Sequence, residues 1–295
     1  MNGSMKSLAT IGVLGAILVG GCEKPSTVEG TADDNALEVS AVSVSDTNYV
    51  AAQFDSAGVL PTEQLRFAGR LILNRVTHDA GANVRVETFS RVLFEDRDRP
   101  VIILNRVLGF HGMNLGTVVL QGNPMNAVPH RIPLRRLPGD SVIAAGIEYL
   151  LPVQTYQPQA RYTWDIPAPD SLSPFTASII SPDVITVQSP RGGSTVYRNR
   201  DLRLRWTGSG RFLIIISGFD PLTRRTRPFL RLSPQVNNGT ALLGSRVLNL
   251  LPARFRFYVF TFVLANRDES TVVAGFHDRI LVQAATMYNS YVELQ

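Results

Sequence analysis

From Ala51 to the C-terminus, apolar residues come in short runs, each broken by proline, glycine or a polar turn, and that rhythm points to β-structure. Val84-Arg85-Val86-Glu87-Thr88-Phe89 alternates with the side-chain period of a half-buried strand. Leu65 to Leu73, Val101 to Leu104, Gly116 to Leu120, Ser141 to Ala144 and Tyr162 to Trp164 extend the series. The charged stretch Glu95 to Pro100 reads as a turn before the wholly apolar Val101–Leu104. No window of about eleven residues joins a helical period to a cap, so helix is expected only as short turns. The expected fold is all-β, with two β-sandwich domains.

The C-terminal half carries the clearer pattern. Val184 to Val187 leads into a turn at Ser189-Pro190-Arg191-Gly192-Gly193. Leu202, Leu204 and Trp206 then share one strand face, while Arg203 and Arg205 share the other. Leu213 to Ile216, Phe255 to Val263, Arg279 to Ala285 and Tyr288 to Leu294 follow as strands. Phe255 to Val263 has aromatics on both faces, which requires cover on both sides, from a partner or from the first domain. Asp165 to Pro174 is dense in proline and polar residues and reads as a linker. The expected division is domain one over 49–170, a linker over 171–182 and domain two over 183–295.

The frame SPRGGSTVYRNRDLRLRW, residues 189 to 206, resembles the opening of immunoglobulin-like or fibronectin type III-like repeats in bacterial envelope proteins. It departs from the commoner pattern at Ser194, where an acid would follow the glycines. The resemblance implies a sandwich for domain two and implies no function, because such sandwiches host many.

At the N-terminus, Leu8 to Gly21 is small and apolar apart from Thr10, and follows Lys6. It is shorter than the roughly 20 residues that cross a bilayer and fits the apolar region of a secretory signal, with Met1 or Met5 as the start. Leu18-Val19-Gly20-Gly21-Cys22 resembles the lipobox of bacterial lipoproteins. That resemblance implies a signal peptide over 1–21, cleavage between Gly21 and Cys22, a diacylglyceryl thioether on Cys22 and an N-acyl chain such as palmitate on its freed amino group. Two or three acyl chains anchor a protein firmly where one does not. Localisation in the bacterial cell envelope follows, on the periplasmic side or at the cell surface, with the membrane as a partner through the anchor. Cys22 is the only cysteine, so the body owes its stability to its core and not to a disulfide. Residues 22–48 read as a flexible acidic tether, with Glu23, Glu29, Asp33, Asp34, Glu38 and Asp46 against Lys24.

Beyond the tether the fixed cations are all arginine, and the chain's pI is 9.6. Their alternation in Arg203 and Arg205, and in Arg254 and Arg256, marks solvated strand faces. The sharper alternative is a surface for anionic lipid, lipopolysaccharide or acidic glycan. Nucleic acid is set aside as a partner, because an exported lipoprotein rarely meets it.

Catalytic motifs do not emerge. There is no phosphate loop and no GxSxG elbow. His78, His111, His130 and His277 are dispersed, and the pairs His78-Asp79 and His277-Asp278 read as loop features. Glu95 to Arg99 offers three carboxylates in the manner of a weak calcium loop, but its interleaved arginines favour a solvated turn. No metal, no catalytic residue and no cofactor beyond the lipid on Cys22 is expected. Trp206 reads as core, whereas Tyr162 and Trp164 form a candidate sugar-stacking platform. The expected function is non-enzymatic binding or scaffolding in the envelope, with an envelope glycan or protein as partner. The alternatives are a carbohydrate-binding module and a glycan-active hydrolase. The hydrolase would need two carboxylates facing one cleft, one with a raised pKa.

Overall fold

The computed structural model describes residues 37–41, 67–133, 142–167, 173–220, 225–271, 276 and 279–295. In the N-terminal half the strands are β1 (Leu37–Ala41), β2 (Gly69–Asp79), β3 (Val84–Ile103), β4 (Arg106–Gly112), β5 (Val119–Leu120), β6 (Asn123–Pro124), β7 (Asn126–Pro133), β8 (Val142–Pro152) and β9 (Arg161–Ile166). Next come β10 (Phe175–Ile180), β11 (Thr186–Ser189), β12 (Thr195–Val196), β13 (Leu202–Thr207), β14 (Phe212–Asp220), β15 (Arg225–Pro234) and β16 (Thr240–Leu243). The single described helical turn, α1 (Ser245–Leu248), precedes the long strands β17 (Phe257–Thr271) and β18 (Ile280–Leu294). The chain is all-β and of sandwich type, as its short apolar runs imply.

An 11-stranded sheet in the order β1-β15-β14-β17-β18-β2-β3-β4-β8-β7, with β12 beside β18, runs through both halves of the chain. Two small sheets, β10-β9-β5-β6 and β11-β13-β16, complete the architecture. Each small sheet closes one core. Trp206, Leu204, Ala241 and Leu243 meet Phe212, Ile214, Phe260, Phe262 and Val292 in the C-terminal core. Trp164, Tyr162, Ala177 and Ile179 meet Leu71, Leu73, Val92, Phe94, Tyr149, Ile280, Val282 and Ala284 in the other. β18 serves both cores, and its parallel ladder with β2 runs unbroken from Ile280↔Gly69 to Ser290↔Asp79.

This continuity corrects the expected division. Phe175–Ile180, within the expected linker 171–182, is a strand paired with β9 from Phe175↔Ile166 to Ile180↔Arg161. Its Ala177 and Ile179 are buried, so this stretch gains more from pairing and burial than from staying extended. Residues 183–295 also do not stand alone, because the first part of β18 packs into the core of the N-terminal half. At the other end of the chain, Leu37–Ala41 falls in the expected tether but is paired with β15, with Val39 buried against the C-terminal core. The signal region and the rest of the tether lie outside the described residues.

The C-terminal half is built as two facing sheets. β11, β13 and β16 form one sheet and β15, β14, β17 and β18 face it, with β12 running parallel beside β18. β13 shows the expected alternation, with Leu204 and Trp206 buried and Arg203 and Arg205 exposed. Trp206 stacks on Phe212 with ring centroids 4.3 Å apart. Near the start of β17, the buried Tyr258 hydroxyl donates to the Pro252 carbonyl at 2.5 Å. A tyrosine tied back to the backbone at this corner recurs in immunoglobulin-like sandwiches. Tyr258→Phe keeps the ring and removes the bond, so it is expected to cost about 1–2 kcal/mol, read as a lower urea midpoint at unchanged m-value.

β17 is buried on both faces, as its sequence requires. Tyr258, Phe260 and Phe262 fill the C-terminal core, and Val259, Thr261 and Val263 are buried on the opposite side. The first domain contributes Val76 of β2 to that second face, beside Val263 and Met287.

Candidate functional site

Cys22 and Gly21, the expected lipidation and cleavage positions, lie outside the described residues. The aromatic pair Tyr162 and Trp164 is not a platform. Both side chains point inward from β9, and Trp164 is fully buried. Its indole N–H donates to the buried Ser90 hydroxyl at 3.0 Å. The Tyr162 hydroxyl accepts from the Gln157 amide at 3.0 Å, and its ring stacks on Tyr156. Tyr156 donates to the Pro182 carbonyl at 2.8 Å, and burial pushes its pKa up. With both rings covered, no sugar could stack on them.

His78 and Asp79 close β2 and are strand residues, not a loop, and they engage separate partners. Asp79 is buried. Its Oδ2 accepts from the Tyr288 hydroxyl at 2.6 Å and from the Gly192 amide at 2.9 Å, and its Oδ1 accepts from the Gly81 amide at 2.9 Å. Burial pushes the Asp79 pKa up, but these three donors and Arg191 outweigh it and hold the carboxyl below its ordinary range. The same contact raises Tyr288 to about 12, through burial first and the adjacent carboxylate second. His78 Nδ1 lies 3.3 Å from both the Tyr291 hydroxyl and the Asn289 amide nitrogen, and burial lowers its pKa. His277 and Asp278 lie outside the described residues.

The Asp79 contact explains the glycine turn. A Cβ on Gly192 would sit 2.1 Å from the Asp79 carbonyl oxygen, so only glycine allows this approach. Gly193 donates to the Tyr291 carbonyl, and the buried Ser290 hydroxyl donates to the Pro190 carbonyl at 2.6 Å. Ser194, where the commoner repeat has an acid, donates to the Arg191 carbonyl within the turn. The carboxylate that meets these glycines comes from the other half of the chain.

A second buried polar group joins three strands. Glu148 Oε2 on β8 accepts from Arg91 of β3 at 2.6 and 2.9 Å and lies 3.4 Å from His130 Nδ1 on β7. Burial raises the Glu148 pKa, but His130 and Arg91 outweigh it and hold the carboxyl low. Asp183 and Glu293 are also lowered, by hydrogen bonds from Ser209 and Gln159 and from Arg256 and Gln295. Among the described residues, every carboxylate with a displaced pKa is therefore held as the anion. That state suits an ion pair and is the opposite of what a general acid needs.

Glu95 to Pro100 is not a solvated turn. It continues β3 through a bulge between Asp96 and Pro100, and Glu95 pairs with the buried Arg70 at 2.6 Å. Among the described residues, no three histidine, cysteine or carboxylate side chains are grouped to hold a metal. Arg254 and Arg256 are exposed, with guanidinium groups 5.1 and 5.5 Å from the ring centroids of Phe255 and Phe257.

One surface feature eludes a sequence reading. Val101–Leu104, read as a plain apolar strand, is the tip of the β3–β4 hairpin, and Leu104 is 92% exposed there. Its signal was Leu104-Asn105, two residues followed by Arg106-Val107-Leu108, which is the length of a tight hairpin turn. No family model, curated protein or solved structure matches this chain.

Proposed function

We propose that this chain is a lipid-anchored protein of the bacterial cell envelope with a non-enzymatic binding or scaffolding role. The observation that carries the reading is the sole cysteine, Cys22, placed directly after Leu18-Val19-Gly20-Gly21 at the end of the one long apolar run. A thiol there is the only side chain of the segment suited to a thioether-linked lipid. The body supports a binding role over catalysis through its buried acids. Asp79 and Glu148 are saturated by donors and spent on joining strands. A glycan-active hydrolase would need one acid with a raised pKa, and a carbohydrate-binding module would need the aromatic face that Trp164 turns into the core.

The test is metabolic labelling of the full chain with an alkynyl palmitate in a diderm host, with mass analysis of the N-terminal peptide. The wild-type chain is expected to carry label, with Cys22 as its first residue bearing diacylglycerol. Cys22→Ser is expected to lose the label completely and keep residues 1–21. Equal labelling of Cys22→Ser, or a wild-type N-terminus free of lipid, would overturn the proposal.

A further inference from the structure

The structure assigns to the β3–β4 hairpin tip a role that the anchor alone does not supply: we propose that it inserts into the surface of an anionic lipid bilayer. Among the described residues, five of the twelve large apolar side chains that are exposed lie here, namely Ile102, Leu104, Val107 and Leu108 on the hairpin and Val142 opening the neighbouring β8. Most of the others are scattered, as is usual on a soluble surface. Leu104 and Asn105 both have positive φ, at 49° and 59°, in the two-residue turn. This is a turn that favours Asn and Gly, so a leucine at its first position is held against local preference and projects into solvent.

The hairpin is braced just below the tip. Val101 packs on Ile132, Ile143 and Ala145 of the β7–β8 hairpin, and a Cβ on Gly109 would meet Ile132 Cδ1 at 2.9 Å. A braced hairpin can present Leu104 without an ordering cost at the moment of contact.

Two features favour lipid over a protein partner. The exposed side chains run from the open face of the hairpin up onto the turn itself, where Leu104 stands clear of every neighbour, instead of forming a flat patch. Ile102 and Val107 are cross-strand partners on one face, Leu108 is the extra residue of a bulge between the pairs Val101↔Gly109 and Ile102↔Val107, and Leu104 caps the turn. A protein surface covers one face, whereas a fluid apolar phase covers all sides of a convex tip. Toward the turn the charge is also one-sided, since the acids of this hairpin, Glu95, Asp96 and Asp98, all lie farther from the turn than Arg99. From Arg99 through Pro133 there is no Asp or Glu, while Arg99, Arg106 and Arg131 stand in or beside the two hairpins. Exposed Arg99 and Arg131 are suited to lipid phosphates while the aliphatic tip enters the acyl region.

The proposal does not depend on acylation at Cys22, and its test separates the two. Because Cys22 is the only cysteine, the full chain with Cys22→Ser and Leu104→Cys carries one thiol, which takes an environment-sensitive NBD label. A second variant with Cys22→Ser and Val107→Cys repeats the test, and one with Cys22→Ser and Val236→Cys, at an exposed site away from this hairpin, is the control. With phosphatidylglycerol–phosphatidylcholine vesicles, the labels at 104 and 107 are expected to shift to the blue and brighten several-fold. Nitroxide lipids should quench both, while the label at 236 stays unchanged. An unchanged label at 104 and 107, or an equal response at 236, would overturn the proposal. So would a response without vesicles that grows with protein concentration, which would make the tip a contact between copies of this chain.

Discussion

Trp164→Ala is expected to destabilise the protein by about 3–5 kcal/mol, the range for removing a fully buried aromatic side chain. The indole belongs to the core cluster that also holds Val92, Phe94 and Tyr149, so truncation leaves a cavity in that core. It also leaves the Ser90 hydroxyl, itself fully buried, without the indole N–H that now reaches it at 3.0 Å. Urea unfolding checks this directly, as a lowered midpoint at unchanged m-value. A surface platform would behave otherwise: its loss would leave stability within about 0.5 kcal/mol and act only on a ligand.

Gly192→Ala is expected to cost about 3 kcal/mol or more. The added methyl would meet the Asp79 backbone oxygen at 2.1 Å, and backbone cannot rotate aside as a side chain can. The turn must retreat, and the charge-assisted bond from the Gly192 amide to Asp79 is lost with it. Asp79→Asn is expected to cost about 2–3 kcal/mol, because an amide presents only one oxygen to three donors. The two changes break one clamp, so the double variant should cost clearly less than their sum. The clamp also sets a pH dependence. The Asp79 carboxyl is lowered from 3.8, so its contribution is present above that value and is lost as pH falls through the folded pKa. Tyr288 is raised from 10.0 to about 12, so its contribution is complete below 10 and is lost as pH rises through about 12. Unfolding midpoints measured across pH should show both limbs in the wild type; in Asp79→Ala the acid limb should flatten, while the alkaline limb, set first by burial of Tyr288, should only diminish.

Alternation in the sequence made much of this body legible. Leu202, Leu204 and Trp206 against Arg203 and Arg205 marks one strand and both of its faces, and burial follows that pattern residue by residue. Phe175, Ala177 and Ile179 carry the same period, but the prolines around them suggest a linker, and only pairing with β9 shows a strand. Burial of Trp164 was foreshadowed by Tyr162 and Ile166 at the same spacing, both of which enter the core. The join between the halves was not legible, because a parallel ladder between residues 69–79 and 280–290 leaves no local mark. Neither was the partner of the glycine turn. Asp79 and Gly192 are far apart in sequence, and the close approach of their backbones exists only in the folded chain. The apolar tip was hidden for a different reason, since four apolar residues in a row read as one more strand, and only the turn at Leu104-Asn105 marks them as the exposed end of a hairpin.

The central structural claim is that one sheet makes the two halves a single cooperative body, and the chain carries one tryptophan in each core with which to test it. Trp206→Phe leaves Trp164 to report on the N-terminal core, and Trp164→Phe leaves Trp206 to report on the C-terminal one. In each variant, urea unfolding is followed by tryptophan fluorescence and by far-ultraviolet circular dichroism. The continuous sheet predicts that the two curves superimpose within each variant, as one two-state transition. A dichroism curve with two steps, only one of them tracked by the remaining tryptophan, would contradict it and restore two independent domains.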